Sequence, residues 1–131
     1  MAAPNILGLT TATGKTTYLT PSGTTAVVLL QNAASSNTVL KINQIVAANV
    51  NGTAAVNATV SIYTNGGVAQ GSAPSGGTAF PIASAISVPA NASLIVADKT
   101  TQIYLEENTS IVVTSGTASG ITYSVSYEIL S

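Results

Sequence analysis

The stretch ITYSVSYEI, residues 121–129, alternates strictly between apolar and polar side chains. Successive side chains of a strand point to opposite faces, so a period of two predicts a strand with one buried and one wet face. The apolar or aromatic positions are Ile121, Tyr123, Val125, Tyr127 and Ile129. The C-terminal segment therefore predicts a strand packed on a hydrophobic core.

Two earlier stretches show the same alternation. In VNATVSIYT, residues 56–64, one face carries Val, Ala, Val and Ile, and the other includes Tyr63. In NTSIVVTSG, residues 108–116, Ile111 and Val113 share a face. Both stretches predict half-buried strands.

Two further stretches depart from simple alternation. NTVLKINQIVAANV, residues 37–50, begins with a period of two that shifts after Asn43, and this predicts a β-bulge near Asn43–Gln44. TTAVVLLQ, residues 24–31, is apolar at every position from 26 to 30. Such a run predicts a central strand covered on both faces.

Proline and glycine separate the predicted strands. TPSGT at 20–24, GSAPSGGTAFP at 71–81 and VPANAS at 88–93 predict a turn, a loop and a second turn or crossing segment. No segment has a sustained helical period between caps. Eight or nine short, mostly antiparallel strands predict an all-β sandwich or jelly roll in a single domain, residues 1–131.

The inward parity of these strands predicts the core. Its members are Val27, Leu29, Leu40, Ile42, Val60, Ile62, Leu94, Val96, Ile103, Leu105, Ile111, Val113, Tyr123 and Val125.

Charged side chains are scarce. The chain has three Lys, four acidic residues and a net charge of -1, and it contains no Arg, His, Cys or Trp. Duplex binding requires several cations on phosphates, so a nucleic-acid partner is not expected, and a polybasic membrane anchor is not expected either. Neither a signal peptide nor a membrane span is expected from the opening residues or from the short apolar run at 26–30. A surface made mostly of Thr, Ser, Ala and Asn side chains suits contact with other subunits better than it suits a free monomer.

The stretch DKTTQIYLEE, residues 98–107, holds four of the seven charges: Asp98, Lys99, Glu106 and Glu107. We interpret TQIYLE as a short strand between two polar turns, with the charges at its solvent-facing ends. Two alternatives are weaker: a glycosidase-like carboxylate pair of Asp98 with Glu106 or Glu107, and a Ca²⁺ site from Asp98, Glu107 and Asn108. We therefore predict no catalytic residues, no cofactor and no metal.

Other chemistry-bearing patterns are weak. Gly14-Lys15-Thr16 resembles the end of a phosphate-binding loop, but the upstream Gly8 has the wrong offset and no helical pattern follows. We interpret it as a turn that enters the strand KTTYLT. Hydrolases that use Ser/His or Cys/His, and His-ligated zinc, need residues that the chain lacks. The four Asn-X-Ser/Thr sequons, at Asn51, Asn57, Asn91 and Asn108, receive no function because such tripeptides arise by chance in this composition.

The segments ISVPANASLIVADKTTQIYLEENTSIVVTSG, residues 86–116, and ITYSVSYEIL, residues 121–130, together with the opening MAAPNILGLTTATGKT, resemble small virion structural proteins of marine tailed phages, notably cyanophages. The resemblance covers most of the chain and is strongest from about residue 85. It implies a β-sandwich coat or tail accessory protein without catalysis, and it transfers no functional residues.

Three functions compete. The first is a capsid decoration or cement protein on the exterior of a virion assembled in the host cytoplasm. The second is a tail, collar or fibre accessory protein, with exposed Tyr63 and Tyr104 and the 71–81 loop available to a host surface. The third, a virion-associated hydrolase, is disfavoured by the missing His and Cys. The expected partners are the major capsid protein or tail and neck proteins, and further copies of this chain. A trimer is favoured, with the termini and one sheet edge at the contacts, and the alternative is a monomer ordered by docking on a capsid or tail lattice.

Overall fold

A computed structural model describes residues 5–131, which form nine antiparallel strands in two packed sheets. The strands are β1 (Ala12–Leu19), β2 (Val27–Asn32), β3 (Val39–Asn49), β4 (Val56–Tyr63), β5 (Ala79–Val88), β6 (Ser93–Ala97), β7 (Ile103–Leu105), β8 (Thr109–Ser115) and β9 (Ile121–Leu130). Two 3-10 turns, Ile6–Gly8 and Lys99–Thr101, complete the regular structure of this part of the chain. Neither turn is long or apolar enough to cross a membrane.

The strand order is that of a jelly roll, which confirms the predicted fold class. The larger sheet runs β1-β9-β3-β6, with β7 also paired to β3, and the smaller sheet runs β2-β8-β4-β5. The hairpin of β4 and β5 lies at the centre of the sequence order. Going outward along the chain in both directions, the next strands pair in turn: β3 with β6 and β7, then β2 with β8, and then β1 with β9. Such a folded-over long hairpin makes a double-sheet jelly roll.

The core between the sheets follows the predicted parity. Nine of the predicted core residues are buried and five are half-buried and packed against them. The nine are Leu29, Leu40, Ile42, Val60, Leu105, Ile111, Val113, Tyr123 and Val125. The five are Val27, Ile62, Leu94, Val96 and Ile103.

The predicted β-bulge in the third strand is confirmed. The register of β3 against β9 shifts between Ile42 and Gln44, so Asn43 is the extra residue. A bulged residue lacks a direct cross-strand partner and bends its strand. The bulge therefore turns Asn43 out of the regular ladder on the larger sheet.

The strand predicted at residues 26–30 is present as β2, but it is not a central strand. β2 is an edge strand of the smaller sheet, paired to β8 alone. It is nevertheless covered on both faces, because Val28 packs outside the sheet with Tyr63 and Val112 beneath the loop after β4. That loop also caps the free edge, since the Val28 amide donates to the Ser72 carbonyl at 3.0 Å.

The segments between strands match the predicted turns with one exception. Residues 20–24 separate β1 from β2, and residues 89–92 separate β5 from β6. The predicted loop at 71–81 is too long, because β5 already begins at Ala79 and includes Pro81. Proline is tolerated there because β5 is an edge strand, where a ladder hydrogen bond can be missing.

The C-terminal residue is held by the chain itself. The carbonyl oxygen of Ser131 accepts hydrogen bonds from the amides of Thr10 and Thr11 at 2.8 and 2.9 Å. The segment before β1 therefore supplies the hydrogen-bond partners of Ser131. Residues 1–4, part of the terminal segment for which a contact was expected, lie outside the described residues.

Candidate functional site

Asp98 has a local structural task. It caps the 3-10 turn Lys99–Thr101: its carboxylate accepts from the Thr100 amide at 2.9 Å and from the Thr100 hydroxyl at 2.5 Å. The Thr101 hydroxyl in turn accepts from the Asp98 amide at 3.1 Å, which completes a capping box. The hydroxyl and amide of Thr100 hold the pKa of Asp98 below its usual value. This carboxylate is an ionised cap, which is the opposite of a general acid with a raised pKa.

The two glutamates lie beyond the other end of β7. Glu106 is exposed, and its backbone carbonyl accepts from the Thr109 hydroxyl at 2.6 Å. The carboxylate oxygens of Glu107 are shielded from solvent and have no hydrogen-bond partner within residues 5–131. β7 therefore separates Asp98 from both glutamates along the chain, which does not favour a carboxylate pair.

Asn108, the third oxygen ligand of the weak Ca²⁺ alternative, is also engaged in the fold. It adopts a left-handed backbone with φ of 58°, and its side-chain oxygen accepts from the Gly66 amide at 3.2 Å. No group of three or more His, Cys, Asp or Glu residues that could hold a metal ion occurs among the described residues. The charged island therefore has the geometry of strand ends and turns.

The Gly14-Lys15-Thr16 segment is extended. The strand predicted from Lys15 onward is confirmed, but the turn predicted at its start is wrong. All three residues lie inside β1 and are paired to Glu128, Tyr127 and Ser126 of β9. A phosphate-binding loop needs successive backbone amides turned towards one anion, whereas strand amides alternate in direction. The motif has no phosphate-loop geometry.

The two tyrosines proposed as exposed contacts have different environments. Tyr104 is 44% exposed on β7, as expected, but Tyr63 is only 7% exposed. The loop after β4 covers Tyr63, and the phenol oxygen of Tyr63 accepts a hydrogen bond from the Gly77 amide at 3.0 Å. The prediction of an exposed Tyr63 is therefore wrong, because alternation along the strand cannot reveal a loop that folds over the outer face.

A polar groove crosses the outer face of the larger sheet at the Asn43 bulge. Two adjoining clefts of about 490 and 350 Å³ share Asn43 and Ser126. The first is lined by Asn43, Gln44, Asp98, Lys99, Thr100 and Ser126. The second is lined by Gly14, Lys15, Thr16, Asn43, Ser126, Tyr127 and Glu128. Because Gly14 has no side chain and Asn43 leaves the ladder, the groove opens where these two irregularities meet.

The chemistry of the groove is that of polar contact. The Asn43 amide nitrogen lies 3.3 Å from a Glu128 carboxylate oxygen, which orients both side chains. Amide, hydroxyl, carboxylate and ammonium groups line it, so it can donate and accept hydrogen bonds with a polar ligand or with a partner backbone. Its lining offers hydroxyls but no His or Cys to activate a nucleophile.

A second surface is apolar and lies at the β5 edge of the smaller sheet. It is formed by Phe80, Ile82 and Ile86 of β5, which are 57%, 43% and 42% exposed, and we call it the β5 face. The sequence analysis predicted neither surface, although the sequence carries a signal for each. The break in strand parity at Asn43 marks the groove, and the absence of any charged residue from 42 to 97 marks the β5 face.

Comparison with known proteins identifies no relative. No protein-family model matches the chain. No curated protein and no solved structure matches it significantly.

Proposed function

We propose that this chain is a non-enzymatic structural protein of a phage virion, and specifically a decoration or cement protein on the capsid exterior. The observation that carries the proposal is the uncharged part of the surface between residues 42 and 97, where the β5 face exposes three large apolar side chains. A protein that works free in solution usually keeps charge on such an edge strand and avoids exposed apolar groups.

The fold and the resemblance to phage virion proteins add support. Jelly rolls are common among viral capsid, lectin and cupin domains, so the fold is compatible with the proposal without selecting it. Contacts made by an uncharged surface are little affected by salt, which suits a particle that persists in a saline medium. The proposed partners are the major capsid protein and further copies of this chain, with a trimer favoured.

Copy number on purified virions tests the proposal. Virions of the phage that encodes the chain are digested, and the chain is quantified by mass spectrometry against the major capsid protein of the same particles. Hundreds of copies per particle support capsid decoration, whereas a few or tens support the tail. Presence in the infected-cell lysate with absence from purified virions would refute both locations.

A tail, collar or fibre protein that contacts the host surface is the second candidate. It is favoured by the polar groove and by Tyr104, which lies on the same sheet because β7 pairs with β3 at Lys41. Hydroxyl, amide and aromatic groups together suit a glycan. Binding of the purified protein to host cells, lost in Tyr104→Ala and kept in Tyr18→Ala, would favour this candidate.

The non-enzymatic part of the proposal has its own test. Glu106 and Glu107 are the carboxylates that a hydrolase mechanism would use. We expect no hydrolysis of host-surface polysaccharide above a buffer blank. Robust hydrolysis that disappears in Glu106→Gln or Glu107→Gln would contradict the proposal.

A further inference from the structure

The β5 face continues the core of the sandwich past the edge of the larger sheet. Phe80 lies opposite Ile62, and Ile86 lies opposite Ala58, whose side chains belong to the core side of β4. Directly opposed residues of an antiparallel pair share a face. Phe80 and Ile86 therefore point to the same side as the core and yet stay about half exposed.

The reason is a difference in strand length between the two sheets. β5 has ten residues, whereas β6, the strand of the larger sheet that contacts it, has five. The middle of β5 is covered, because Ala83 packs on the core, but Phe80 and Ile86 on either side of it are not. The β5 face is thus an inner sheet surface that lacks part of its opposing layer.

Strand addition is blocked along this edge. The register of β5 against β4 shifts twice, Pro81 lacks an amide hydrogen, and Ala85 has a left-handed φ of 48°. An incoming strand would meet an interrupted ladder. The face is therefore suited to packing of side chains against side chains, and poorly suited to extending the sheet.

We propose that the β5 face is the contact between copies of this chain, where the faces of neighbouring copies meet at the symmetry axis and each supplies the apolar layer that the other lacks. This proposal deepens the proposed homo-oligomeric virion protein by naming its contact surface. The absence of charge from residue 42 to 97 argues for a second copy as the occupant, because two identical uncharged faces meet without like-charge repulsion and bury no unpaired ion.

The size of the face sets the strength of the contact. A ten-residue strand is about 33 Å long and its middle is covered, so a band about 10 Å wide offers at most roughly 300 Å² per copy. Stable interfaces bury about 800 Å² per partner. The β5 face is smaller than that, so the association of isolated chains should be weak. High local concentration on a particle would then raise its occupancy.

Sedimentation equilibrium over a wide concentration range tests the proposal on the intact chain. We expect the average mass of the wild type to rise with concentration. Phe80→Lys and Ile86→Lys should each raise the apparent dissociation constant at least about ten-fold, since the new ammonium group must be desolvated against an apolar face. Tyr18→Lys is the matched control: it adds the same charge at a 73% exposed aromatic residue of β1 and should associate like the wild type.

A crosslinking test does not depend on these lysine variants. The chain contains no cysteine, so a single Ile86→Cys, which places a thiol on the β5 face, reports one site. Mild oxidation should give disulfide-linked pairs, which require close approach of the two cysteines. Thr13→Cys, at an exposed position of β1 away from the β5 face, should form no disulfide-linked pairs.

Three results would overturn the proposal. They are a wild type that stays monomeric at every concentration, association undiminished in folded Phe80→Lys and Ile86→Lys, and equal crosslinking at Ile86→Cys and Thr13→Cys. A monomeric wild type whose incorporation into virions is lost in Phe80→Lys would assign the face to another virion protein. The copy number on virions is a separate measurement, so the proposed virion role is tested independently of the β5 contact.

Discussion

The phenol oxygen of Tyr123 in β9 donates a hydrogen bond across the sandwich to the backbone carbonyl of Thr114 in β8. The same oxygen accepts from the amide of Thr59 in β4 at 3.2 Å. Thr59 and Thr114 are opposed residues of adjacent strands, and Tyr123 itself is fully buried. A single side chain from one sheet therefore bridges two backbone groups of the other.

Removal of that hydroxyl should destabilise the protein. Tyr123→Phe keeps the ring but leaves the Thr114 carbonyl and the Thr59 amide without this partner inside the core. An unsatisfied buried polar group costs about 1–3 kcal/mol, so we expect a loss of that order in the free energy of unfolding by urea. Tyr127→Phe, a half-buried tyrosine of the same strand, is the control and should cost less. Equal losses in the two variants would contradict the bridging role.

Alkaline pH should weaken the fold through the same residue. Burial raises the pKa of Tyr123 from 10.0 to about 12, and burial also raises the pKa of Tyr127. Because the folded-state pKa lies above the unfolded one, the stabilisation is complete below pH 10 and is lost as pH rises through about 12. The free energy of unfolding measured across this window should fall more steeply in the wild type than in Tyr123→Phe. Identical slopes would argue against the assignment to Tyr123.

The parity of β7 is open to a direct test. Leu105 is 1% exposed and packs in the core, whereas the adjacent Tyr104 is 44% exposed. Leu105→Ala should lower the free energy of unfolding by about 2–5 kcal/mol, the usual cost of such a cavity. Tyr104→Ala should change it by about 0.5 kcal/mol or less, as at most surface sites. A reversed order of the two losses would mean that the faces of β7 are assigned backwards.

Strand parity was enough to predict the class of the fold and most of its core. The alternation in residues 121–129 identified β9, and the parity break after Asn43 identified the bulge that later proved to open the polar groove. These features were predictable because they depend on local periodicity alone. A period of two reports that a strand has two different faces, and a break in it reports an extra residue.

Two of the errors concern what covers a strand from outside. Tyr63 was assigned to solvent by parity, yet the loop after β4 buries it together with Val28 and Val112. The same loop makes the edge strand β2 resemble a central one. Neither feature could be derived from the strands themselves, because the coverage comes from residues with no periodicity, such as Val68. The exposed apolar residues of β5 were missed because residues 71–81 were assigned to a loop and no strand was predicted for residues 82–87.

Divalent metal should leave stability unchanged. The carboxylate of Asp98 already binds the Thr100 amide and hydroxyl, and the Asn108 side chain already binds the Gly66 amide. Ca²⁺ prefers six to eight oxygen ligands, which these engaged groups do not supply together. Melting temperatures with chelator and with excess Ca²⁺ should agree within error. A fall of many degrees in chelator, absent in Glu107→Gln, would restore the Ca²⁺ alternative.

Two glycines provide a matched test of how the loop after β4 is anchored. Gly66 lies where that loop crosses the Asn32–Thr109 pair of β2 and β8. A Cβ atom there would overlap the Asn32 carbonyl and come within 2.9 Å of the Thr109 amide nitrogen, and both are backbone groups that cannot rotate away. Gly66→Ala should therefore lower the free energy of unfolding by about 1–3 kcal/mol, as overpacking does.

A Cβ atom at Gly14 in β1 meets nothing within 4 Å. Gly14→Ala should be neutral or stabilise by up to about 1 kcal/mol, because alanine restricts the unfolded chain. Chemical denaturation of the two variants beside the wild type measures both effects, and tolerance of alanine at Gly66 equal to that at Gly14 would show that the loop does not lie against the ends of β2 and β8.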